Sequence, residues 1–250
     1  MIASKFKKER VYATLNGYRW DDFTAYVYMS DDYGKTWKNI SSNIPTSAVN
    51  VIKEDSENEH VLYVGTDNGL YASFNNGGEW HPFTNGLPNV AIHDLVIQER
   101  EKDLVVGTHG RSIYKTNISH LQKFNEVKEK EIHVFKVDGI RFSSRWGTSR
   151  RQWSDPFTPE ITIPIYSKGA KKVMVDVYRK EIKVNSFSVQ VDNGFNETSF
   201  DVSFSKKGRT NYLSKYRDAS IKKANNGVYY LPKGKYTIKI GESETNFEIK

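Results

Sequence analysis

The chain has 250 residues, of which 37% are hydrophobic, 27% charged and 13% aromatic. That length accommodates one large all-β domain or two smaller ones, and the aromatic load favours strands over disorder. The lack of cysteine excludes disulfides and cysteine-ligated zinc, no apolar run reaches the length of a membrane span, and the net charge of +7 comes mostly from Lys interleaved with Asp and Glu, which reads as a mixed-charge surface with no specific nucleic-acid site.

The opening MIASKFKKERVYATLNG has no apolar core of the secretory-leader kind and runs almost at once into a strand. Two expectations follow: a cytoplasmic protein, or a piece of a longer secreted chain. Beyond it the sequence repeats itself. SDDYGKTW (residues 30–37) aligns with SFNNGGEW (residues 73–80), matching Ser30 with Ser73, Asp32 with Asn75, Gly34 with Gly77 and Trp37 with Trp80. The offset of about 43 residues lies in the range of propeller blades. The flanks repeat in register: Pro45 matches Pro88, Gly65 matches Gly107 and Thr66 matches Thr108, and an earlier, more divergent copy begins with VYATLNGYR at Val11. In the second unit, alternation split by turn residues predicts strands near 48–54, 61–66, 70–74 and 79–83. Four short strands per repeat make a propeller blade; a β-sandwich would not require a repeated motif in register.

The repeated motif has a physical reading. Asp32 accepts hydrogen bonds from N–H groups of its own turn, with Thr36 beside it, and Asn75 does the same without charge. Gly34 supplies a backbone angle other residues resist, Ser30 bonds inside the hairpin, and Trp37 packs in the blade layer. The motif is a staple for a folded hairpin. A calcium site would need more oxygen ligands than one Asp and one Asn provide, so no metal and no cofactor is assigned.

SDDYGKTW resembles the Asp-box of bacterial neuraminidase (BNR) repeats. The wider run from VYMSDDYGKTWKNI to DLVVGTHGRSIY resembles the bacterial sortilin-like propeller proteins, which are often labelled glycosyl hydrolases by similarity. The resemblance covers residues 10–120 and implies a partial β-propeller of two to three four-stranded blades over residues 1–120. It also implies that the Asp-boxes sit at the blade periphery and are not catalytic. A few blades alone leave sheet edges open, so the remaining blades are expected from a longer chain or from another subunit.

After the repeats, Ser119 is placed to cap a short helix with Leu121 and Phe124 on one face, and IHVFKV from Ile132 reads as a strand. DGIRFSSRWGTSRRQWSDPFTPE is irregular, so residues 121–160 read as a connection. Arg145, Arg150 and Arg151 with Trp146 and Trp153 form either a basic–aromatic patch for glycan or nucleic acid, or a linker whose tryptophans dock on the propeller flank. Residues 161–250 read as a second all-β domain with strands in ITIPIY, KKVMVDVYR, EIKVNSFSVQV, ETSFDVSF, VYYLPKGKYTIKIG and TNFEIK. Gly194, Asn196, Phe200 and Asp201, then Leu231, Gly234 and Tyr236, resemble the Ig-like β-sandwich domains of bacterial surface and flagellar hook-cap proteins. Residues 206–227 are longer and more basic than that pattern expects.

No spacing singles out a catalytic set, and no phosphate loop, zinc helix or nucleophile elbow occurs. His109 and Arg111 lie in a loop after a predicted strand, and Asp67 holds the equivalent loop one blade earlier. They are candidates for facing a ligand; the alternative is structural turns, with Arg111 paired to a carboxylate and Asp67 capping its own loop. The functional expectation is a non-catalytic binding or scaffold protein, outside the cell or at its surface, recognising a protein or a glycan. The other reading is a fragment of a sialidase-like glycoside hydrolase whose site lies mostly on other blades.

Overall fold

The computed structural model describes residues 1–83, 86–151, 153–216 and 221–250. The architecture is all-β, with short helices only, and the chain divides into two compact units, Met1–Asn125 and Glu126–Lys250.

The first unit holds three antiparallel sheets, each a meander of strands consecutive in sequence. Blade one is β1 (Ile2–Ala3), β2 (Val11–Gly17), β3 (Asp22–Ser30) and β4 (Lys38–Asn39). Blade two is β5 (Val49–Glu54), β6 (Leu62–Thr66), β7 (Gly69–Ser73) and β8 (His81–Pro82). Blade three is β9 (Ile92–Gln98), β10 (Asp103–Thr108) and β11 (Ile113–Asn117). The repeat survives in the pairing: Val64 stands opposite Tyr71 in blade two and Val106 opposite Tyr114 in blade three. All of β6 is buried, because sheets cover both of its faces. Tyr12, Val27, Ile40, Val49, Ile52, Leu62, Val64 and Trp80 form one core joining blades one and two.

The matched glycine of β6 has a steric cause. A Cβ on Gly65 would lie 2.6 Å from Ile92 of blade three and 2.7 Å from Val51 of its own blade, closer than real side chains approach. Its counterpart Gly107 meets nothing nearer than Asp94 at 3.5 Å. The close fit belongs to blade two, which has a neighbour on each side.

In the second unit, β12 (Ile132–Val134), β13 (Ile161–Ser167), β14 (Lys171–Arg179), β15 (Ile182–Val191), β16 (Gly194–Phe200), β17 (Gly234–Ile240) and β18 (Ser243–Ile249) form two antiparallel sheets, ordered β12-β13-β16 and β15-β14-β17-β18. Ile163 and Ile165 from one sheet and Val175, Val177, Ile238 and Ile240 from the other share a single core. Leu231, Gly234 and Tyr236 lie at the entry to β17. There the Tyr236 hydroxyl donates to the Pro232 carbonyl four residues upstream, at 2.6 Å, pinning the corner where the chain crosses between sheets.

Three local expectations change. Residues 126–160 are integral to the second unit: β12 pairs with β13, Ile140 forms a parallel bridge to Ile249, and Trp146 sits in the core at 4% exposure. Trp146 and Trp153 therefore do not act together, since Trp153 is 92% exposed. Ser119 does not cap a helix; its hydroxyl donates to Asn117, and a 3₁₀ turn (Leu121–Lys123) leads into α1 (Phe124–Val127) without a side-chain cap. The basic segment from Lys206 folds in part as α2 (Lys206–Lys215), capped by the Ser205 hydroxyl, which accepts from the Gly208 N–H at 3.0 Å. Gly208 lets this helix lie on β15, since a Cβ there would fall 1.9 Å from the Val184 carbonyl oxygen. The rest of that segment lies partly outside the described residues.

Candidate functional site

Each blade has two ends, and the sequence motifs fall on opposite ones. The Ser30 and Ser73 hairpins follow β3 and β7; the Asp67 and His109 loops follow β6 and β10.

The hairpins are closed by hydrogen bonds. Ser30 Oγ donates to Asp32 Oδ1 (2.7 Å) and accepts from the Gly34 N–H (2.8 Å); Asp32 accepts from the Thr36 N–H (2.8 Å) and hydroxyl (2.6 Å). These donors, Thr36 foremost, hold the Asp32 carboxyl down to about 2. In the second copy Ser73 donates to Asn75 (3.0 Å) and accepts from Gly77 (2.9 Å), and Asn75 accepts from the Glu79 N–H (2.8 Å). Both seven-residue connections carry two successive positive-φ residues, Tyr33–Gly34 and Asn76–Gly77, as in the central pair of a type I′ turn. The tryptophans diverge. Trp80 is buried and its indole N–H donates across to the Ile40 carbonyl of blade one at 2.7 Å, while Asn43 clamps its backbone from both sides. Trp37, expected in the blade layer, is 40% exposed, and its indole N–H donates within its own turn, to the Gly34 carbonyl at 3.0 Å. Trp80 has blade one to pack against, whereas among the described residues no blade lies on the corresponding side of Trp37.

At the other end the loops form a polar row. The Asp67 N–H donates to the Ala48 carbonyl (3.0 Å) and the His109 N–H to the Ala91 carbonyl (2.8 Å), the same bond one repeat apart. Asn50 donates to the Asp67 carboxylate at 2.8 Å and in turn accepts from Asn16 of blade one. In blade three His93 replaces Asn50, and its ring meets His109 edge to face at 5.4 Å. Arg111 is exposed beside them, and on blade one the turn after β2 presents Tyr18 (60% exposed) and Trp20 (79%). The structure thus groups Asp67, His109 and Arg111 at one end of adjacent blades. Asn16, Asn50 and His93 carry no motif that marks them as site residues in the sequence, although Asn50 and His93 occupy matched repeat positions.

The first unit closes on a buried acid. Asp55 is fully buried and accepts from the Glu57 N–H (2.8 Å), the Asn58 N–H (3.1 Å), Gln122 Nε2 (3.1 Å) and the Tyr63 hydroxyl (3.2 Å). Burial nevertheless raises its carboxyl above the usual range. Close to Gln122 in sequence, burial holds the His120 imidazole down to about 4. A folded-state value below the unfolded one means the unfolded chain takes up the proton first. Stability from this group is therefore complete above about pH 6.5 and declines as pH falls toward 4, by about 2–3 kcal/mol. Chemical denaturation of the wild type and of His120→Gln between pH 7 and 4 tests this: the difference between the two should change by that amount, and a constant difference rules His120 out.

The Sortilin-Vps10 family (Sortilin, neurotensin receptor 3) matches residues 25–154, just over half of the chain. The chain belongs to the Sortilin-Vps10 family. No curated protein matches this Sortilin-Vps10 chain. Among solved structures it is similar to an ancestral GH74 enzyme (13% identity, TM-score 0.38, covering 77% of this chain and 18% of that one). It is also similar to the GH74 xyloglucanase of Xanthomonas campestris (10%, 0.38, covering 98% and 38%) and to the extracellular domain of a two-component system of B. thetaiotaomicron (9%, 0.36, covering 100% and 30%). The chain spans less than two fifths of the length of each. Among the described residues, no helix is long and apolar enough to cross a membrane.

Proposed function

We propose that this Sortilin-Vps10 chain is a non-catalytic glycan-binding part of an Asp-box propeller, working outside the cell or at its surface. The observation that carries the reading is the polar row at one blade end: Asn16, Asn50, Asp67, His93, His109 and Arg111, with exposed Tyr18 and Trp20 beside it. Planar amides, a carboxylate and a guanidinium match the hydroxyls of a sugar, and an open indole matches its C–H face. The carboxylate linked into this row, Asp67, is held by an amide. Asp94, beside His93 in β9, and Asp22, at the start of β3, lie at the same blade end. A two-carboxylate site, which needs carboxyl groups about 5–10 Å apart, is therefore the alternative that a turnover assay tests. The Ser30 and Ser73 hairpins act as Asp-box staples at the far end. The second unit is an Ig-like module that spaces or anchors the blades, a reading supported by its strand order and by the Tyr236 corner.

A glycan array followed by calorimetry on the best hit tests the proposal. Trp20→Ala and Arg111→Ala should each weaken binding about tenfold or more, while Trp37→Ala, at the other end of the blades, should leave it unchanged. Turnover of fluorogenic glycosides by this chain would replace the binding reading with the hydrolase one. Binding that survives both loop substitutions would move the site elsewhere.

A further inference from the structure

The charge of the chain is not evenly distributed. Residues 126–250 carry 24 Lys+Arg against 15 Asp+Glu, whereas residues 1–125 carry 13 against 15. The whole positive excess belongs to the second unit, and part of it rims a cavity of about 380 Å³ between two segments of that unit, residues 142–148 and 221–232.

The cavity is a held structure. The Asn226 N–H donates to the Gly147 carbonyl (3.1 Å), Asn226 Nδ2 donates to the Tyr230 hydroxyl (2.8 Å), and Trp146 packs edge-on against both Phe142 (5.0 Å) and Tyr230 (5.8 Å). Its lining divides by chemistry. Lys222 and Lys223 are exposed and make no ion pair among the described residues. Ser143, Ser144 and Thr148 bring hydroxyls. Trp146 is 4% exposed and serves as a wall, Tyr230 is half-buried, and Phe142, at 37%, is the most open of the three aromatic rings. The Lys233 ammonium sits 5.9 Å from that ring's centroid.

We propose that this cavity binds an acidic saccharide. Lys222 and Lys223 take its sulfate or carboxylate, the hydroxyl side chains take its ring hydroxyls, and Phe142 lies against its C–H face. Two exposed ammonium groups without carboxylate partners among the described residues retain their attraction for an anion. One exposed ring, Phe142, with the half-buried Tyr230 and several small hydroxyls suits a sugar, whereas runs of nucleic-acid bases need successive open stacking platforms. The cavity volume is that of a one- or two-ring ligand site.

Calorimetry on the full chain tests this with four probes of equal length: a heparin-derived hexasaccharide, a hexagalacturonate, a neutral maltohexaose and a single-stranded hexanucleotide. At least one acidic saccharide should bind and the neutral one should not, and the two acidic probes separate sulfate from carboxylate recognition. Lys222→Ala with Lys223→Ala should weaken binding about tenfold or more, and Phe142→Ala by several-fold. Lys206→Ala with Lys207→Ala, the same charge change outside the cavity lining, should leave it unchanged. Equal loss from the Lys206/Lys207 pair would show diffuse charge attraction and overturn the proposal. So would hexanucleotide binding as tight as the saccharide's and indifferent to Phe142→Ala, or the absence of binding to either acidic saccharide at millimolar concentration.

Discussion

Trp80→Ala is expected to destabilise the first unit by about 3–5 kcal/mol, whereas Trp37→Ala, at the matched position of the same motif, should cost about 1 kcal/mol or less. The two tryptophans occupy the same place in their hairpins, so motif chemistry predicts equal effects. The structure separates them by what lies on their far side. Trp80 is 2% exposed, and its removal opens a cavity against Ile40 while leaving the Ile40 carbonyl without the indole N–H at 2.7 Å. Gly77 confirms how closely this contact is fitted: a Cβ there would fall 2.8 Å from Ile40, whereas one on Gly34 would meet only Trp37 itself, at 3.5 Å. Trp37 loses a bond within its own turn and some half-buried area. A loss of 3–5 kcal/mol is a large share of the 5–15 kcal/mol that holds a typical domain together. Urea titration of both variants, followed by circular dichroism, measures the contrast, and Trp80→Phe divides it further: most of the volume stays, the hydrogen bond goes, and about 1–2 kcal/mol should be lost. Equal effects at Trp37 and Trp80 would refute the blade-contact account. If another blade docks before the first, in a longer chain or from a second subunit, the Trp37 effect should rise toward that of Trp80 in the assembled form.

The same pair shows where the sequence stops being informative. Blade hairpins are legible because their hydrogen bonds close within about eight residues, so Ser30, Asp32, Gly34 and Thr36 must stand at fixed spacing. Strands are legible where alternation is strict, as in β14, whose bounds Lys171–Arg179 coincide with KKVMVDVYR. Contacts with a neighbouring blade leave no such local trace, so Trp37 and Trp80 look alike. Residues 126–160 look like a linker because their role in the second unit rests on backbone pairing, as between Ile140 and Ile249, and on one inserted indole; neither has a period. Helix α2 buries only Gly208 and Tyr212, so it has no apolar stripe, and its one sequence signal is the capping Ser205. The polar row at the loop end was half visible: Asp67, His109 and Arg111 follow strands in turn-rich loops, but Asn50 and His93 lie inside or next to strands, where polar residues ordinarily face solvent without a role.

The second large effect is expected at Asp55. Alanine there should cost about 3–4 kcal/mol, because four donors lose their acceptor in a fully buried site: two turn N–H groups, the Tyr63 hydroxyl and the Gln122 amide. Gln122 belongs to the 3₁₀ turn that ends the first unit, and Asn58 also donates to its carbonyl at 2.8 Å, so the substitution frees the last turn of the unit together with the β5–β6 connection. Asp55→Asn should be much milder, about 1 kcal/mol, since the amide oxygen still accepts from the turn and the charge is gone. The pH dependence gives the sign. Burial raises the Asp55 carboxyl in the folded state, so its stabilising contribution is complete below the usual carboxylate range and is lost as pH rises through the folded value. The asparagine variant lacks that loss. Measured as a difference in urea midpoint, wild type should therefore gain on Asp55→Asn as the solution is acidified, with the His120 contribution cancelling because both chains carry it. A difference that stays flat, or moves the other way, would mean that Asp55 is held charged by its four donors more strongly than burial opposes it.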